Sequence, residues 1–326
     1  MKICLIGAGR IGTVHAMAIA GDETAILHSV VDFDQEVAER LAQKYNAITL
    51  RLDEAFNNKE IDAFIIASST ATHADLVEKC AKAGKPVFCE KPIDLSLERA
   101  LSCAKAVEES GIVCMLGFNR RFDPHMASLK SKVDANAIGS IQSLVITSHD
   151  PEPPSMDYIA GSGGLFHDMM IHDFDMACWI LSDTPSSIYV AANAANDDIA
   201  NQGDVDTASV IMNMKKGSIV TIINGRQATF GYDQRIEAFG ETGMLQVKNT
   251  LEDNVVLSNS MGINQAKSKH FFLERYEKAY HNELVHFMQS FQSGSKPSVN
   301  ISDGVLALKI AEAAKKSLQS GNPVNL

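Results

Sequence analysis

Near the amino terminus, hydrophobic residues come in short runs: Ile3–Ile6, Ala63–Ala67, Val87–Cys89 and Val113–Leu116 are unbroken, and a further strand is expected at Ile26–Val31, interrupted by His28 and Ser29. Between them lie stretches with the period of amphipathic helices, at Ile11–Ala20, Gln35–Tyr45, His73–Ala83 and Leu97–Glu109. A strand apolar at every position is buried on both faces. Strands of that kind separated by helices build a parallel sheet covered on both sides. The rhythm changes near Gly117. A helix is expected at Pro124–Lys132, and period-two alternation then marks strands at Ile141–Ser148, Ser187–Ala192, Ala208–Met214, Ser218–Asn224 and Gln234–Phe239. Such strands bury one face only, which predicts an antiparallel or mixed sheet with helices on one side. A single helix is expected at Leu165–Leu181, a turn at Gly240–Gly243, and closing helices at Phe271–Ser290 and Asp303–Ser320, the last stopped by Gly321 and Pro323. The pattern therefore predicts an α/β domain over residues 1–118. An α+β domain with a large, mostly antiparallel, open-faced sheet follows over 119–326, its last helix returning to pack on the first domain.

Composition narrows the function more than the fold. The chain has 326 residues, more than one ordinary core accommodates, and is 45% hydrophobic and 21% charged, which excludes disorder. A net charge of -11 repels phosphate backbones, and the short stretches Lys215–Lys216 and Lys315–Lys316 read as solvated faces. Neither nucleic acid nor membrane is an expected partner. No segment approaches the roughly 18 apolar residues of a membrane span, and the amino-terminal residues enter a strand and glycine turn instead of a signal sequence. Six scattered cysteines without a C-x-x-C pair read as buried, reduced thiols of a cytoplasmic protein.

The first chemical motif is Gly7-Ala8-Gly9-Arg10-Ile11-Gly12, a G-x-G-x-x-G that follows an apolar strand and opens a helix. Asp32 ends the next strand at the spacing of a Rossmann dinucleotide-binding unit. Gly7 permits the tight turn, Gly9 lets a pyrophosphate approach the backbone, and Gly12 lets helix and strand pack closely. The helix N-terminus around Arg10 and Ile11 offers N–H groups and partial positive charge to the phosphates. A carboxylate at Asp32 accepts hydrogen bonds from ribose hydroxyls and repels a 2′-phosphate. Phe33 and Asp34 follow it, with no adjacent base to reward NADP, so NAD is the expected cofactor. Ser68, Ser69, Thr70 and His73 follow another strand at the same sheet edge; they can line the cofactor, cap the next helix, or both.

Cys89-Glu90-Lys91-Pro92 ends a further strand at that edge. There, a Lys91 ammonium can bind a substrate hydroxyl and stabilise the alkoxide that develops as hydride leaves, and the Lys91–Pro92 bond is a candidate cis peptide. Further on, Asp168, His172 and Asp175 fall at i, i+4 and i+7, one stripe of a helix most of whose other positions are apolar. Ionisable groups on a buried helix are costly unless they pair or do chemistry, and oxidation of an alcohol needs a base; a histidine oriented by a nearby carboxylate suits it. Two other readings stay open: a satisfied core histidine, and a metal site of one histidine and two carboxylates. His281-Asn282-Glu283-Leu284-Val285-His286 lacks the glutamate of a zinc-protease helix and reads as an ordinary amphipathic helix.

Together, Gly7–Gly12, Glu90-Lys91-Pro92, Gly117-Phe118-Asn119-Arg120-Arg121-Phe122-Asp123 and Asp168-x-x-x-His172-x-x-Asp175 resemble the glucose–fructose oxidoreductase and inositol dehydrogenase family along essentially the whole chain. The closing Phe272-Leu273-Glu274-Arg275-Tyr276-Glu277-x-x-Tyr280, with Asp303-Gly304, is most similar to its bacterial myo-inositol 2-dehydrogenase branch. The resemblance implies NAD-dependent oxidation of a polyol or sugar by a homo-oligomer, dimer or tetramer. It assigns Lys91 to the reacting hydroxyl, along with Glu90 and Lys91 to the cofactor edge. His172 becomes the general base, Asp168 its partner, Asp175 a ligand for ring hydroxyls, and Arg121 and Tyr232 substrate contacts from the second domain. Cys178 and Trp179 follow the helix motif where related sequences vary. Myo-inositol oxidised at C2 is the expected reaction. Another inositol isomer, an aldose or a related sugar is the nearest rival, and a non-catalytic NAD-binding regulator the rival of a different class.

Overall fold

The computed structural model describes residues 1–326. The chain divides into two compact units, Met1–Phe122 with Lys278–Lys309, and Asp123–Glu277 with Ile310–Leu326.

In the first unit, six strands form one parallel sheet: β1 (Lys2–Ile6), β2 (Ile26–Val31), β3 (Ile48–Thr49), β4 (Ala63–Ile66), β5 (Val87–Cys89) and β6 (Cys114–Leu116), in the order β3-β2-β1-β4-β5-β6. Between them run α1 (Arg10–Ala20), α2 (Gln35–Lys44), α3 (Leu52–Asn57), α4 (His73–Ala83) and α5 (Leu97–Ser110). Every apolar residue of β1, β4, β5 and β6 is buried, as a doubly covered parallel sheet requires, whereas β2 begins with the exposed Ile26. The Rossmann architecture is thus present. Its chain order reverses at β1, so the loops after β1 and β4 diverge and open a crevice at the carboxyl edge, where such sheets bind ligands. The sequence pattern misses β3 and α3 because two and six residues are too few to express a period.

The second unit contains α6 (Pro124–Asp134), α7 (Met156–Ser162), α8 (Leu165–Asp168), α9 (Ile171–Leu181), α10 (Asp197–Asn201) and α11 (Phe272–Arg275). Its strands are β7 (Ile141–His149), β8 (Pro185–Asn193), β9 (Thr207–Met214), β10 (Ile219–Gly225), β11 (Asp233–Gly240) and β12 (Met244–Val247). They are followed by an exposed hairpin, β13 (Val256–Asn259) with β14 (Gly262–Gln265), and by β15 (Val324–Asn325). The large sheet has the order β12-β11-β7-β10-β9-β8-β15, and only β7 and β10 run parallel. Alternation sorts the two faces: in β9, Ala208, Val210, Met212 and Met214 are buried while Thr207, Ser209, Ile211 and Asn213 are exposed. The expected open-faced, mostly antiparallel sheet is what forms.

Two closing helices, α12 (Glu277–Ser293) and α13 (Ile301–Ser320), complete the chain. In the first unit, Leu284, Phe287 and Met288 of α12 join the core that contains Ile3, Leu5, Ile65 and Phe88. Each such side chain contributes about 1.5–3 kcal/mol on burial.

Two expected helices are each split. Residues 271–290 contain α11 and α12, separated at Tyr276. Residues 165–181 contain α8 and α9, because the Met170 N–H bonds the Leu165 carbonyl five residues back (2.9 Å) while that of Asp173 bonds Met170 three residues back (2.9 Å). A one-residue irregularity of this kind leaves hydrophobic periodicity nearly unaltered, so the pattern does not reveal it.

Candidate functional site

The cofactor half of the site lies in the first unit. Gly7 has φ +101°, and a Cβ on it would meet the Ala67 carbonyl group at 2.5 Å; one on Gly12 would stand 2.0 Å from the Gly7 carbonyl oxygen. These two glycines close the turn and seat α1 on β1. A Cβ on Gly9 would meet nothing within 4 Å, which is the open side a pyrophosphate needs. Arg10 and Ile11 begin α1, whose first-turn N–H groups have no carbonyl of their own helix to bond. Asp32, at the end of β2, accepts the N–H of Ala8 at 2.6 Å on Oδ2 and that of Asp34 at 2.9 Å on Oδ1. Each oxygen keeps further lone-pair capacity for ribose hydroxyls. Asp34 caps α2, and the Phe33 side chain is fully exposed. The residues present fit an NAD pyrophosphate and adenosine ribose.

The loop after β4 adds Ser68, Ser69 and Thr70. The Ser68 and Thr72 hydroxyls are 2.7 Å apart and Thr72 Oγ1 donates to the Ser69 carbonyl, so these side chains bond one another; Thr72, at the N-cap of α4, makes no side-chain cap. His73 is buried, with Nδ1 at 2.7 Å from the Pro92 carbonyl and Nε2 at 3.1 Å from that of Ser68. It therefore ties the loop after β4 to the Glu90-Lys91-Pro92 turn after β5, where the Lys91–Pro92 peptide is cis and the Lys91 N–H donates to Glu90 Oε2 at 3.2 Å. Arg121 also belongs to the first unit. It is buried, and its guanidinium reaches the Ser298 carbonyl at 2.9 Å and Asp303 at 3.2 Å.

In the second unit, Asp168 ends α8 while His172 and Asp175 lie on α9, so the three do not share one uninterrupted helix. His172 and Asp168 are half-buried; Asp175 is buried. Asp168 accepts the Tyr158 hydroxyl at 2.8 Å and lies 3.5 Å from Arg226 Nη1. Arg226 is 1% exposed and lines a cavity of about 550 Å³ with His149, Asn196, Asp206 and Thr229. Burial pushes the Asp206 carboxyl up, but the N–H groups of Asn196 and Ala195, the Thr207 hydroxyl and Arg226 outweigh it and hold the group below the usual carboxylate range. Tyr232 precedes β11, buried edge-to-face against Tyr276 with ring centroids 5.9 Å apart.

Sequence reasoning passes over two residues here. Asp173, 0% exposed, accepts Ser148 Oγ at 2.5 Å and Asn224 Nδ2 at 2.7 Å, pinning α9 to β7 and β10 and so aiming His172 and Asp175. Arg226 is the other. Neither stands out by spacing: Asp173 adjoins the more regular stripe, and Arg226 is one basic residue at the end of an alternating strand.

Comparison with known proteins agrees with this geometry. Residues 1–118 match the GFO/IDH/MocA oxidoreductase family, NAD-binding Rossmann fold, and residues 126–246 match the GFO/IDH/MocA C-terminal domain. The inositol 2-dehydrogenase of Rhizobium meliloti is 41% identical over 327 residues, spanning 100% of this chain and 99% of that protein. The myo-inositol 2-dehydrogenase of Thermotoga maritima is 40% identical, spanning 100% and 98%. The crystal structure of a myo-inositol dehydrogenase from Corynebacterium glutamicum superposes with a TM-score of 0.96 at 41% identity, over 100% of this chain and 98% of that one. With its glycine cradle and Asp32 intact and its relatives matched end to end, the chain belongs to the GFO/IDH/MocA family of NAD-dependent oxidoreductases.

Proposed function

We propose that this enzyme oxidises myo-inositol at C2 to the 2-keto compound. The observation that carries this reading is the end-to-end match to inositol 2-dehydrogenases by a chain whose own NAD cradle is complete. Bound NAD supplies the hydride acceptor. The Lys91 ammonium binds the C2 hydroxyl and stabilises the alkoxide as its proton passes to the His172 imidazole; the C2 hydrogen leaves as hydride, giving ketone, reduced cofactor and one proton. Asp168 orients His172, and its own place is set by Tyr158 and Arg226. Asp175, Arg121 and Tyr232 take the neighbouring ring hydroxyls.

Initial rates with NAD and with NADP against a panel of inositol isomers and aldoses test the reading. Rapid turnover of myo-inositol with NAD is expected. No turnover of any inositol would overturn it, and preference for another isomer or an aldose would favour the nearest rival.

The protein acts as a homo-oligomer in the cytoplasm. Supporting assembly, Tyr189, Ile211, Ile219, Ile223 and Phe239 project from one face of the large sheet and are exposed in the single chain. No helix is long and apolar enough to cross a membrane.

A further inference from the structure

Three ionisable side chains of the first unit stand outside the mechanism above: His15 of α1, Glu90 after β5 and Glu283 of α12, each with a polar atom within 4.8 Å of the others. They are 1%, 9% and 0% exposed. His15 Nε2 lies 2.8 Å from Glu90 Oε1, and Glu90 Oε2 accepts the N–H of Lys91 at 3.2 Å. Both oxygens of Glu283 are buried and accept a hydrogen bond from no donor. Aromatic rings close the surroundings: Phe88 and Tyr280 stand edge-on to His15, with centroids 5.0 and 5.8 Å away, and Phe287 packs on Phe88. Gly117 leaves room on the remaining side, where a Cβ would come within 2.8 Å of Glu90 Oε2.

A divalent cation does not suit this cluster. Ligand atoms around a tetrahedral ion stand more than about 3 Å apart. His15 and Glu90 are already in direct hydrogen-bond contact, at 2.8 Å. A proton suits it well. An ionised Glu283 would be a fully buried carboxylate close to another carboxylate, with His15 already in contact with Glu90. A neutral Glu283 has one O–H to donate, and the nearby Glu90 has acceptor capacity left. Burial, reinforced by the charge of Glu90, pushes the Glu283 carboxyl well above the usual carboxylate range.

We propose that Glu283 is a positioning residue for Lys91: it keeps a proton and donates it in a hydrogen bond to Glu90, which, held by His15 from its other oxygen, fixes the backbone of Lys91. The proposal rests on the assignment of Lys91 to the reacting hydroxyl. Glu283 touches neither substrate nor cofactor. It acts by restricting Glu90, and misplacement of a catalytic group by about 1 Å can cost about a hundredfold in rate.

The test compares Glu283→Gln and Glu283→Met in the NAD-loaded enzyme. An amide still donates to Glu90, so Glu283→Gln should keep kcat within about threefold, whereas Glu283→Met should lose about tenfold or more with the NAD Kd changed by less than about twofold. The infrared difference spectrum of wild type minus Glu283→Gln should show one protonated-carboxyl C=O band lost. Absence of that band, full kcat in Glu283→Met, or equal loss in both variants would overturn the proposal. Should Glu283→Met fail to fold, the band together with kcat of Glu283→Gln decides. Lys91→Met separates the two readings: if it turned over substrate normally, the role of Lys91 would fall while the infrared band still reported the proton on Glu283.

Discussion

Gly9 and Gly12 lie in one loop and are glycine for opposite reasons. Gly12 abuts backbone, where a Cβ would be 2.0 Å from the Gly7 carbonyl oxygen; Gly9 faces open space in an ordinary extended conformation, φ -69°. Gly12→Ala should therefore destabilise the protein by about 2 kcal/mol or more, as overpacking against rigid backbone does. Gly9→Ala should leave thermal unfolding of the cofactor-free protein within about 0.5 kcal/mol of wild type and still weaken NAD binding. Calorimetry and NAD titration on both variants separate these outcomes; equal thermal losses would show the loop has been misread. Asp32→Ser should weaken NAD and relieve the penalty against NADP, read as the ratio of kcat/KM for the two cofactors. Charge at single residues also sets the pH response. Burial raises the Asp233 carboxyl, but hydrogen bonds from Arg235, His149 and Asn249 outweigh it and hold the group far below its usual range. Its stabilising contribution is present above the unfolded value of about 3.9 and is lost as pH falls below it. Glu283 has the opposite sign. Its folded form keeps a proton that the unfolded chain releases above about pH 4.3, so stability falls as pH rises from there towards the folded value. In urea melts at about pH 5 and pH 8, Glu283→Gln should gain on wild type at the higher pH; an identical pH slope in both would contradict it. All six cysteines are buried and reduced, with burial pushing Cys4 and Cys103 each up to about 12, so a thiol reagent should find none of them before unfolding.

Among elements, the placement of α9 is the most consequential. The helix is pinned by Asp173 to Ser148 and Asn224, and the break after α8 lets Asp168 leave the line of His172 and Asp175 while staying within reach of Tyr158 and Arg226. Asp173→Ala would strand the buried Asn224 amide and leave the Ser148 hydroxyl only Gln234 Oε1, 3.1 Å away, at a cost of about 1–3 kcal/mol, and should lower kcat through His172 without altering NAD affinity. A second anchor is Asp123, which caps α6 by accepting the N–H groups of His125 and Met126, both at 3.1 Å, and pairs bidentately with buried Arg275 of α11. Asp123→Ala removes a cap and leaves a buried guanidinium uncompensated, so a loss of about 3–5 kcal/mol is expected in denaturant melts. A loss below about 1 kcal/mol would show that water reaches Arg275. The motif residue Asp123 is in this respect structural, and the motif residue Arg275 is its reason.

At the scale of the whole molecule, turnover should need both Lys91 and His172, although they belong to different compact units. Replacing either with a residue unable to carry charge should reduce kcat by about a thousandfold or more while the NAD Kd stays nearly constant; survival of activity in both would end the proposed chemistry. Assembly is tested separately: Ile211→Glu with Ile223→Glu should shift sedimentation towards the single chain if the open sheet face joins copies. Much was legible from residues alone. Unbroken apolar strands, the glycine turn and Asp32 declare a parallel sheet with an NAD cradle because each signal is local, carried by a period or by a spacing within one or two elements. Period-two alternation likewise declares the second sheet and its exposed face. What neighbours along the chain cannot express is partnership at long separation: Asp123 with Arg275, Asp173 with Ser148 and Asn224, and Glu283 with His15 and Glu90. In the sequence these read as ordinary charges on helices or loops. Folding removes their water, and a polar group without water must find a partner or keep its proton, so tertiary structure alone decides which charges become anchors and which become chemistry.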